Sequence, residues 1–445
     1  MRRLLWLPLL AACQRAPSPT AADGGANAAP ARPAQAPAPT PTPARPDAAV
    51  RPTLPPNLNV LMISVDSLRA DMPWAGYPRD IAPALTALEA QSVSFTHAYA
   101  LSSYTSMSVG GFLGGHVPSE LARDGFFFGT YPRRVTFVQE LLQRSGIRTL
   151  SAHAHGYFRV TKAGFDQGFD DYRLLPGLRW NPLMDEEVTS PRHVETARAM
   201  LSDPANSGRR FFAWFHFMDP HDAYRPHEGI SYGRRMRDRY DAEVTFTDRH
   251  LGELITWVRA QPWGARTAII VTADHGECFG EHDHYRHGFE LWQELVRVPW
   301  FFAIPGVAPR RIAVNRSHLD LAPTLLELLG APADPSLPGR SLVPELLGGP
   351  TEEREVVVDL PRTSDNDRRR ALIRGRYKLI AYGDDSRFEL YDLEADPAEA
   401  HNLSRTDRER FTEMVARYRE VSRGITEVHP YQCRTLHGAP PGRGW

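Results

Sequence analysis

Three apolar runs stand out along the chain: Asn59–Val65 (NVLMISV), Phe211–Phe217 (FFAWFHF) and 267–272 (TAIIVT). Each is too short for a buried helix and too uniformly apolar for a half-exposed strand, so each predicts a strand buried on both faces, as in a parallel sheet. Between them, apolar residues recur at helical spacing. Ile81, Leu85 and Leu88 share a face over 81–91, Val138, Leu141 and Leu142 share one over 135–145, and Val244, Leu251, Leu254, Ile255 and Val258 follow Tyr240. Strands alternating with helices predict an α/β fold, a doubly wound α/β/α sandwich with a mostly parallel central sheet. No internal repeat interrupts the pattern.

The polar residues after these runs are not random. The first run stops at Asp66, the second at Met218-Asp219-Pro220-His221-Asp222, the third at Ala273-Asp274-His275-Gly276-Glu277. Open α/β sheets bind ligands at the carboxyl ends of their strands. The pattern therefore delivers Asp66, His221, Asp274 and His275 to one edge. A lone Asp after a strand is commonly a helix cap or turn residue. Asp-His-Gly-Glu after one buried strand, with Asp66 after another, exceeds that explanation. Carboxylate and imidazole together suit a divalent cation.

Composition adds limits. The chain has 445 residues, 42% hydrophobic and 24% charged, with net charge −1. That is enough for one large domain and a smaller one, and it leaves no basic footprint for nucleic acid. The first residues, MRRLLWLPLLAAC, carry Arg2 and Arg3 before a short apolar stretch too brief to span a bilayer. Leu10-Ala11-Ala12-Cys13 resembles a bacterial lipobox, which implies cleavage before Cys13 and a lipid anchor on its thiol. An ordinary secretory signal with a chance Cys is the alternative. Gln14, in place of Asp, points to the outer membrane facing the periplasm. Residues 14–56 are Ala- and Pro-rich and predict an extended tether. The division expected is a signal peptide at 1–12, lipidated Cys and tether at 13–56, a catalytic domain at 57–345, an α+β subdomain at 346–425 and a tail at 426–445. Cys278 and Cys433 can pair or remain free.

The stretch Ser102-Ser103-Tyr104-Thr105-Ser106-Met107-Ser108 packs five aliphatic hydroxyls into seven residues. Its place among the other motifs gives it meaning. "NVLMISVDSLRAD" resembles the opening strand and metal-binding Asp of the sulfatase family, within the alkaline-phosphatase superfamily. "TADHGECFGEHDHYRHGFELWQELVRVP" is similar to its second metal-binding segment, and "FHFMDPHDAY" to its Asp-Pro-His-x-Pro-Tyr segment with Ala223 in place of Pro. "ALIRGRYKLIAYGDDSRFELYDLEADPAEAHNL" resembles its C-terminal subdomain. The resemblance covers most of 57 to about 405. It implies a metal bound by Asp66, Thr105, Asp274 and His275. Thr105 takes the nucleophile position, and His155, His221 and His287 contact the ester oxygens, one of them protonating the leaving group.

The same resemblance marks departures. Family members carry a Cys or Ser that becomes formylglycine, and Thr105 cannot be converted. Val109 replaces an Arg, Ser67 replaces a second Asp, and His153-Ala154-His155 replaces Lys-x-His. A Thr-bound group must be displaced at the central sulfur or phosphorus, as in superfamily branches that handle phosphate esters. Ser67 and His275 shift the expected ion from the family's usual Ca²⁺ toward Mn²⁺ or Zn²⁺. The expected substrate is a small-molecule, glycan or lipid ester, and the alternative is a periplasmic binding protein that kept the fold without turnover. Further expectations concern single residues. Ser106 and Ser108 cap the helix or face the transferring group. His153 is a Lys replacement or a surface residue, and His282 and His284 are solvated. Asp219 is structural, Glu277 supports a ligand, and Arg69 and Asp71 lock a loop.

Overall fold

Alternation along the buried strands divides their side chains between two faces, and helices cover both. The computed structural model describes residues 53–159, 163–179 and 187–430. The first domain contains strands β1 (Asn59–Val65), β2 (Val93–Tyr99), β3 (Arg148–His153), β4 (Asp171–Leu174), β5 (Phe211–Phe217), β6 (Thr267–Ala273), β7 (Trp300–Ala303) and β8 (Arg310–Ser317). They line up as β8-β2-β7-β6-β1-β5-β3-β4. All neighbours are parallel except β7, which runs antiparallel between β2 and β6. The three apolar runs are the centre of this sheet, and every residue of β1, β5 and β6 is buried.

Val60 and Met62 point to one face, with Trp214 and Ile270. There they meet Val109, Phe112 and Leu113 of helix α2 (Thr105–Gly114), with α3 (Val138–Arg144) and α6 (Leu321–Leu328) alongside. Leu61, Ile63 and Val65 point to the other face, with Phe215 and Val271. That face is covered by α1 (Pro83–Glu89), α4 (Ser190–Ser202) and α5 (Met236–Arg259). Each large apolar side chain removed from water contributes roughly 1.5–3 kcal/mol, so the period-2 pattern of the strands determines the layering.

The predicted helices are present with shifted ends. α1 begins at Pro83, where a missing N–H costs nothing, and Asp248 accepts the N–H groups of Ala84 and Leu85 at 2.9 and 2.8 Å. α5 starts earlier than Tyr240 because Asp238 accepts the Arg235 N–H at 3.1 Å and closes a cap.

A second sheet, β9 (Val356–Leu360), β10 (Arg369–Arg374), β11 (Tyr377–Tyr382) and β12 (Arg387–Asp392), is wholly antiparallel. Helix α7 (Arg408–Gly424) packs Met414 and Tyr418 on one face of it. Its other face packs Val356, Val358 and Ile380 against Tyr104, Met107 and Leu295, so it buttresses the start of α2. This is the expected C-terminal subdomain. The lipobox, Cys13, most of the tether and Cys433 lie outside the described residues. Among the described residues no helix is long and apolar enough to cross a membrane.

Candidate active site

Asp66 immediately follows β1, and its N–H still pairs with the Phe217 carbonyl at 2.8 Å. The chain then turns sharply, with Ser67 in the left-handed region at φ 57°. That turn lets the Ser67 hydroxyl donate to Asp66 Oδ1 at 2.8 Å, while the Ser67 N–H faces Asp274 Oδ1 at 3.4 Å. Asp274 and His275 leave β6 side by side. Gly276 follows because the backbone presses on the next segment: a Cβ there would sit 2.0 Å from the Glu294 carbonyl oxygen.

Thr105 opens α2 and joins these groups. Its Oγ1 donates to Asp66 Oδ2 at 3.1 Å and lies 3.1 Å from His275 Nε2. His275 Nε2 is 3.3 Å from Asp274 Oδ2. Asp66, Asp274 and His275 are fully buried and each offers one ligand atom within 4.8 Å of the others. Asp274 Oδ2 is buried with no hydrogen-bond partner. An orphaned carboxylate oxygen facing a second carboxylate, an imidazole nitrogen and a hydroxyl is the donor set a divalent cation requires. The residues present therefore fit the expected ion.

Electrostatics sharpen this. Burial works to raise the Asp66 carboxyl, but His221, His216 and His275 outweigh it and hold the group well below the usual carboxylate range. Asp274 goes the other way, raised by burial and by the charge of Asp66. Burial pushes His275 down, toward the neutral ring that ligates metals. Its Nδ1 lies 3.0 Å from the Gly276 carbonyl, which only accepts, so Nδ1 carries the hydrogen and Nε2 presents a lone pair.

The other expected histidines fall at graded distances. The His287 ring lies 4.2 Å from that of His275, and the His221 ring 5.1 Å from that of His287. His221 Nδ1 donates to the Asp222 carbonyl at 2.8 Å. Glu277 is buried and holds His287 Nδ1 at 3.1 Å. His155 stands at the carboxyl end of β3, where its Nδ1 accepts the Tyr157 N–H at 3.1 Å and its ring lies against Phe128.

Among the single-residue expectations, those for Ser106, Ser108, His153 and His282 are corrected, and those for Asp219, Arg69 and Asp71 agree with the structure. The Ser106 and Ser108 hydroxyls turn inward, donating to the carbonyls of Phe127 at 3.1 Å and Asp274 at 2.6 Å. Ser108 thus fixes the backbone that carries Asp274. His153 is not a surface residue. It is fully buried, stacked on Phe158 at 4.4 Å, and bonded to Ser151. His282 is not solvated but stacked on Trp292 at 4.0 Å. Asp219 accepts the N–H groups of Thr189 and Ser190 and so caps α4. Arg69 and Asp71 form a two-bond pair at 2.8 and 2.9 Å, and Arg69 also donates to the Glu277 carbonyl. Cys278 is buried and has no disulfide partner among the described residues.

One site residue escaped the sequence reading. His216, on β5, is fully buried with Nε2 3.3 Å from Asp66 Oδ2 and 4.0 Å from Asp274 Oδ2. Burial opposes its charge, but its bond to Asp66 and the field of Asp274 raise its pKa. The available signal was its isolation: it is the one polar residue in FFAWFHF.

Comparison with known proteins bears on the family and the fold. The family model described as Sulfatase matches residues 58–331, and the model described as N-sulphoglucosamine sulphohydrolase, C-terminal, matches 280–423. A choline-sulfatase of Rhizobium meliloti is 32% identical over 178 residues, 39% of this chain and 34% of that protein. An ulvan-active sulfatase of Formosa agariphila is 26% identical over 353 residues, 69% of this chain and 68% of that protein. The matched region thus spans about a third of the choline-sulfatase. The solved phosphonate monoester hydrolase of Agrobacterium radiobacter superposes with a TM-score of 0.68 at 18% identity, covering 83% of this chain and 96% of that one, a likeness of fold.

Proposed function

This chain belongs to the sulfatase family, and from that premise we propose that it hydrolyses sulfate or phosphate esters with Thr105 as nucleophile. The carrying observation is Thr105 Oγ1 seated 3.1 Å from both Asp66 Oδ2 and His275 Nε2. The relatives named for sulfate esters support the sulfate class, and the unconvertible Thr105 supports direct displacement at the central atom.

A divalent ion held by Asp66, Asp274, His275 and Thr105 Oγ1 would lower the hydroxyl's pKa and offset charge on the transferring group. This donor set suits Mn²⁺ or Zn²⁺ better than Ca²⁺. The Thr105 hydroxyl donates to Asp66 Oδ2 at 3.1 Å, and this carboxylate takes its proton. The freed Oγ1 attacks sulfur or phosphorus, and the bond from that atom to the ester oxygen breaks. The leaving oxygen takes a proton from His287, whose Nδ1 is committed to Glu277 so that Nε2 is turned to the substrate, or from His221, whose Nδ1 donates to the Asp222 carbonyl. Water or an acceptor alcohol then displaces Thr105 and regenerates the hydroxyl. Thr105 is the first residue of α2, so the unpaired N–H groups of that turn and the helix dipole favour the anionic group there. The full set of acids, imidazoles and hydroxyl supports turnover over the binding-protein alternative. In the same reading the enzyme is tethered by lipid at Cys13 in the cell envelope. Labelling with a radioactive fatty acid, lost in Cys13→Ser, tests that placement.

The test of function is hydrolysis of an aryl sulfate, an aryl phosphate and a phosphodiester by the wild type and Thr105→Ala, each with Mn²⁺ or Zn²⁺. We expect turnover on at least one class, lost by about 10³-fold or more without the nucleophile. Equal rates in Thr105→Ala would refute the assignment.

A further inference from the structure

Two histidines reach the two buried carboxylates, and the hydrogen-bond network assigns them opposite roles. His275 has Nδ1 on a carbonyl, so its neutral ring leaves Nε2 bare for a cation. His216 differs. Its Nδ1 lies 2.8 Å from Ser64 Oγ, and the same oxygen receives the indole N–H of Trp214 at 2.8 Å. Indole N–H only donates, so Ser64 Oγ accepts from Trp214. The hydroxyl oxygen could accept a second bond, but its own hydrogen also needs an acceptor, and among the contacts of the described residues His216 Nδ1 is the one in reach. The hydrogen of the neutral imidazole must therefore sit on Nε2, 3.3 Å from Asp66 Oδ2. If the ring takes a second proton, Nε2 still carries its own.

We propose that His216 is a positioning residue: a buried Nε2–H donor, set by Ser64 and Trp214, that holds Asp66 in place and does not ligate the cation. Strand pairing builds the device in. Ser64 and His216 are register partners across β1 and β5, and Asp66 follows two residues later on the same side. The carboxylate is then held on both oxygens, by Ser67 on Oδ1 and by His216 and Thr105 on Oδ2. This explains how one carboxylate holds its rotamer where Ser67 replaces the second acid of the resembling motif. The inference rests on the metal-site reading above, but its first readout does not need turnover.

The experiment is ¹H–¹⁵N correlation NMR on the full chain with ring-labelled histidine, with and without Zn²⁺, His216 being assigned by its loss in His216→Gln. A protonated Nε2 in both states supports the proposal. A bare Nε2 overturns it and makes His216 a ligand. A second arm measures Zn²⁺ affinity by chelator competition. His216→Leu, of similar volume and without a donor, should weaken binding about 10–100-fold. His216→Gln, which keeps an N–H donor, should recover most of that loss, and kcat should follow affinity with KM little changed. Wild-type affinity in His216→Leu would reduce the residue to packing and overturn the proposal. If the wild type bound no cation, the metal-site reading itself would fail, whereas the tautomer is judged by NMR alone.

Discussion

Glu277 Oε1 lies 3.1 Å from His287 Nδ1, while the other carboxylate oxygen accepts the Tyr224 hydroxyl at 2.7 Å. The acid is buried, and its charge persists because His287 and the two hydrogen bonds outweigh the burial that opposes it. It therefore holds His287 Nδ1 and sets the orientation of the ring. Replacing it by Gln keeps the shape but lets the amide present either a donor or an acceptor to Nδ1. We expect His287→Ala to lower kcat about 10²–10⁴-fold on esters of poor leaving groups, the range of general-acid effects, and Glu277→Gln to lower it in the same direction by less. Esters of acidic phenols, which leave without a proton, should lose much less. Equal losses on both substrate types would remove His287 from the acid role.

The metal group makes a stability prediction independent of substrate. Asp274 Oδ2 has no hydrogen-bond partner, so the cation-free protein retains an uncompensated buried oxygen. Adding Zn²⁺ or Mn²⁺ to chelator-treated protein should raise its melting temperature. At a hundredfold excess over Kd the gain corresponds to about 2.7 kcal/mol. Asp274→Ala should melt at a temperature unresponsive to the ion. A metal-dependent rise that survives in Asp274→Ala would place the ion elsewhere.

Much of the fold was legible because burial on both faces leaves a plain signature. Phe211–Phe217 and 267–272 could only be central strands, and their polar sequels fell on one edge. β7 was not anticipated, since nothing in Trp300–Ala303 distinguishes an antiparallel insertion from a parallel strand. The helix ends moved for reasons of capping, as with Asp238 and Arg235, which are local pairs weaker than an apolar period.

The site was legible where polar residues follow strands, and hidden where they lie within one. Asp66, Asp274 and His275 were visible because a buried strand ended at them. His216 was not, because inside β5 its neighbours make it read as core. His153 shows the converse: it lies in a similar strand and is core, stacked on Phe158. What separates the two is the partner strand, since His216 meets Ser64 and Asp66 while His153 meets aromatic rings. Ser106 and Ser108 misled for the same reason. Their hydroxyls serve the backbone of neighbouring segments that sequence does not place.

Asp248 gives a pH prediction. It is buried beneath α1, and burial raises its carboxyl from 3.8 to about 6 against the pull of the Leu85 and Ala84 N–H groups. A raised acid keeps its proton in the native state over a range where the unfolded chain has lost it. Stability therefore falls as pH rises from about 4 to about 6 and stays reduced above. Asp248→Asn loses an acceptor at every pH but has no such titration. Relative to wild type, the variant should gain on going from pH 4 to pH 7, by roughly 3 kcal/mol at 1.36 kcal/mol per pH unit. Denaturant titrations at the two pH values measure it, and a constant difference would show that Asp248 ionises freely in the fold.

The rim of the site carries a prediction about substrate shape. Phe127 is stacked between Tyr104, at 4.1 Å, and Phe289, at 5.6 Å, and Phe128 stands edge-on to it at 5.4 Å. Among the described residues the exposed large apolar side chains are Phe126, Phe128, Val188, Tyr285 and Phe289. Four of these lie on the two segments beside Tyr104-Thr105 and His287, so exposed apolar surface gathers near Thr105, as expected where a ligand docks. A ring or hydrocarbon on the alcohol side of the ester can extend this stack. Phe128→Ala and Phe289→Ala should each raise KM about 5–10-fold for esters with an aromatic alcohol, an effect of about 1–1.4 kcal/mol typical of aromatic contacts. Neither should change kcat, and esters of small polar alcohols should respond little. Unchanged KM for the aromatic ester in both variants would mean that the wall braces the loop over α2 without touching substrate.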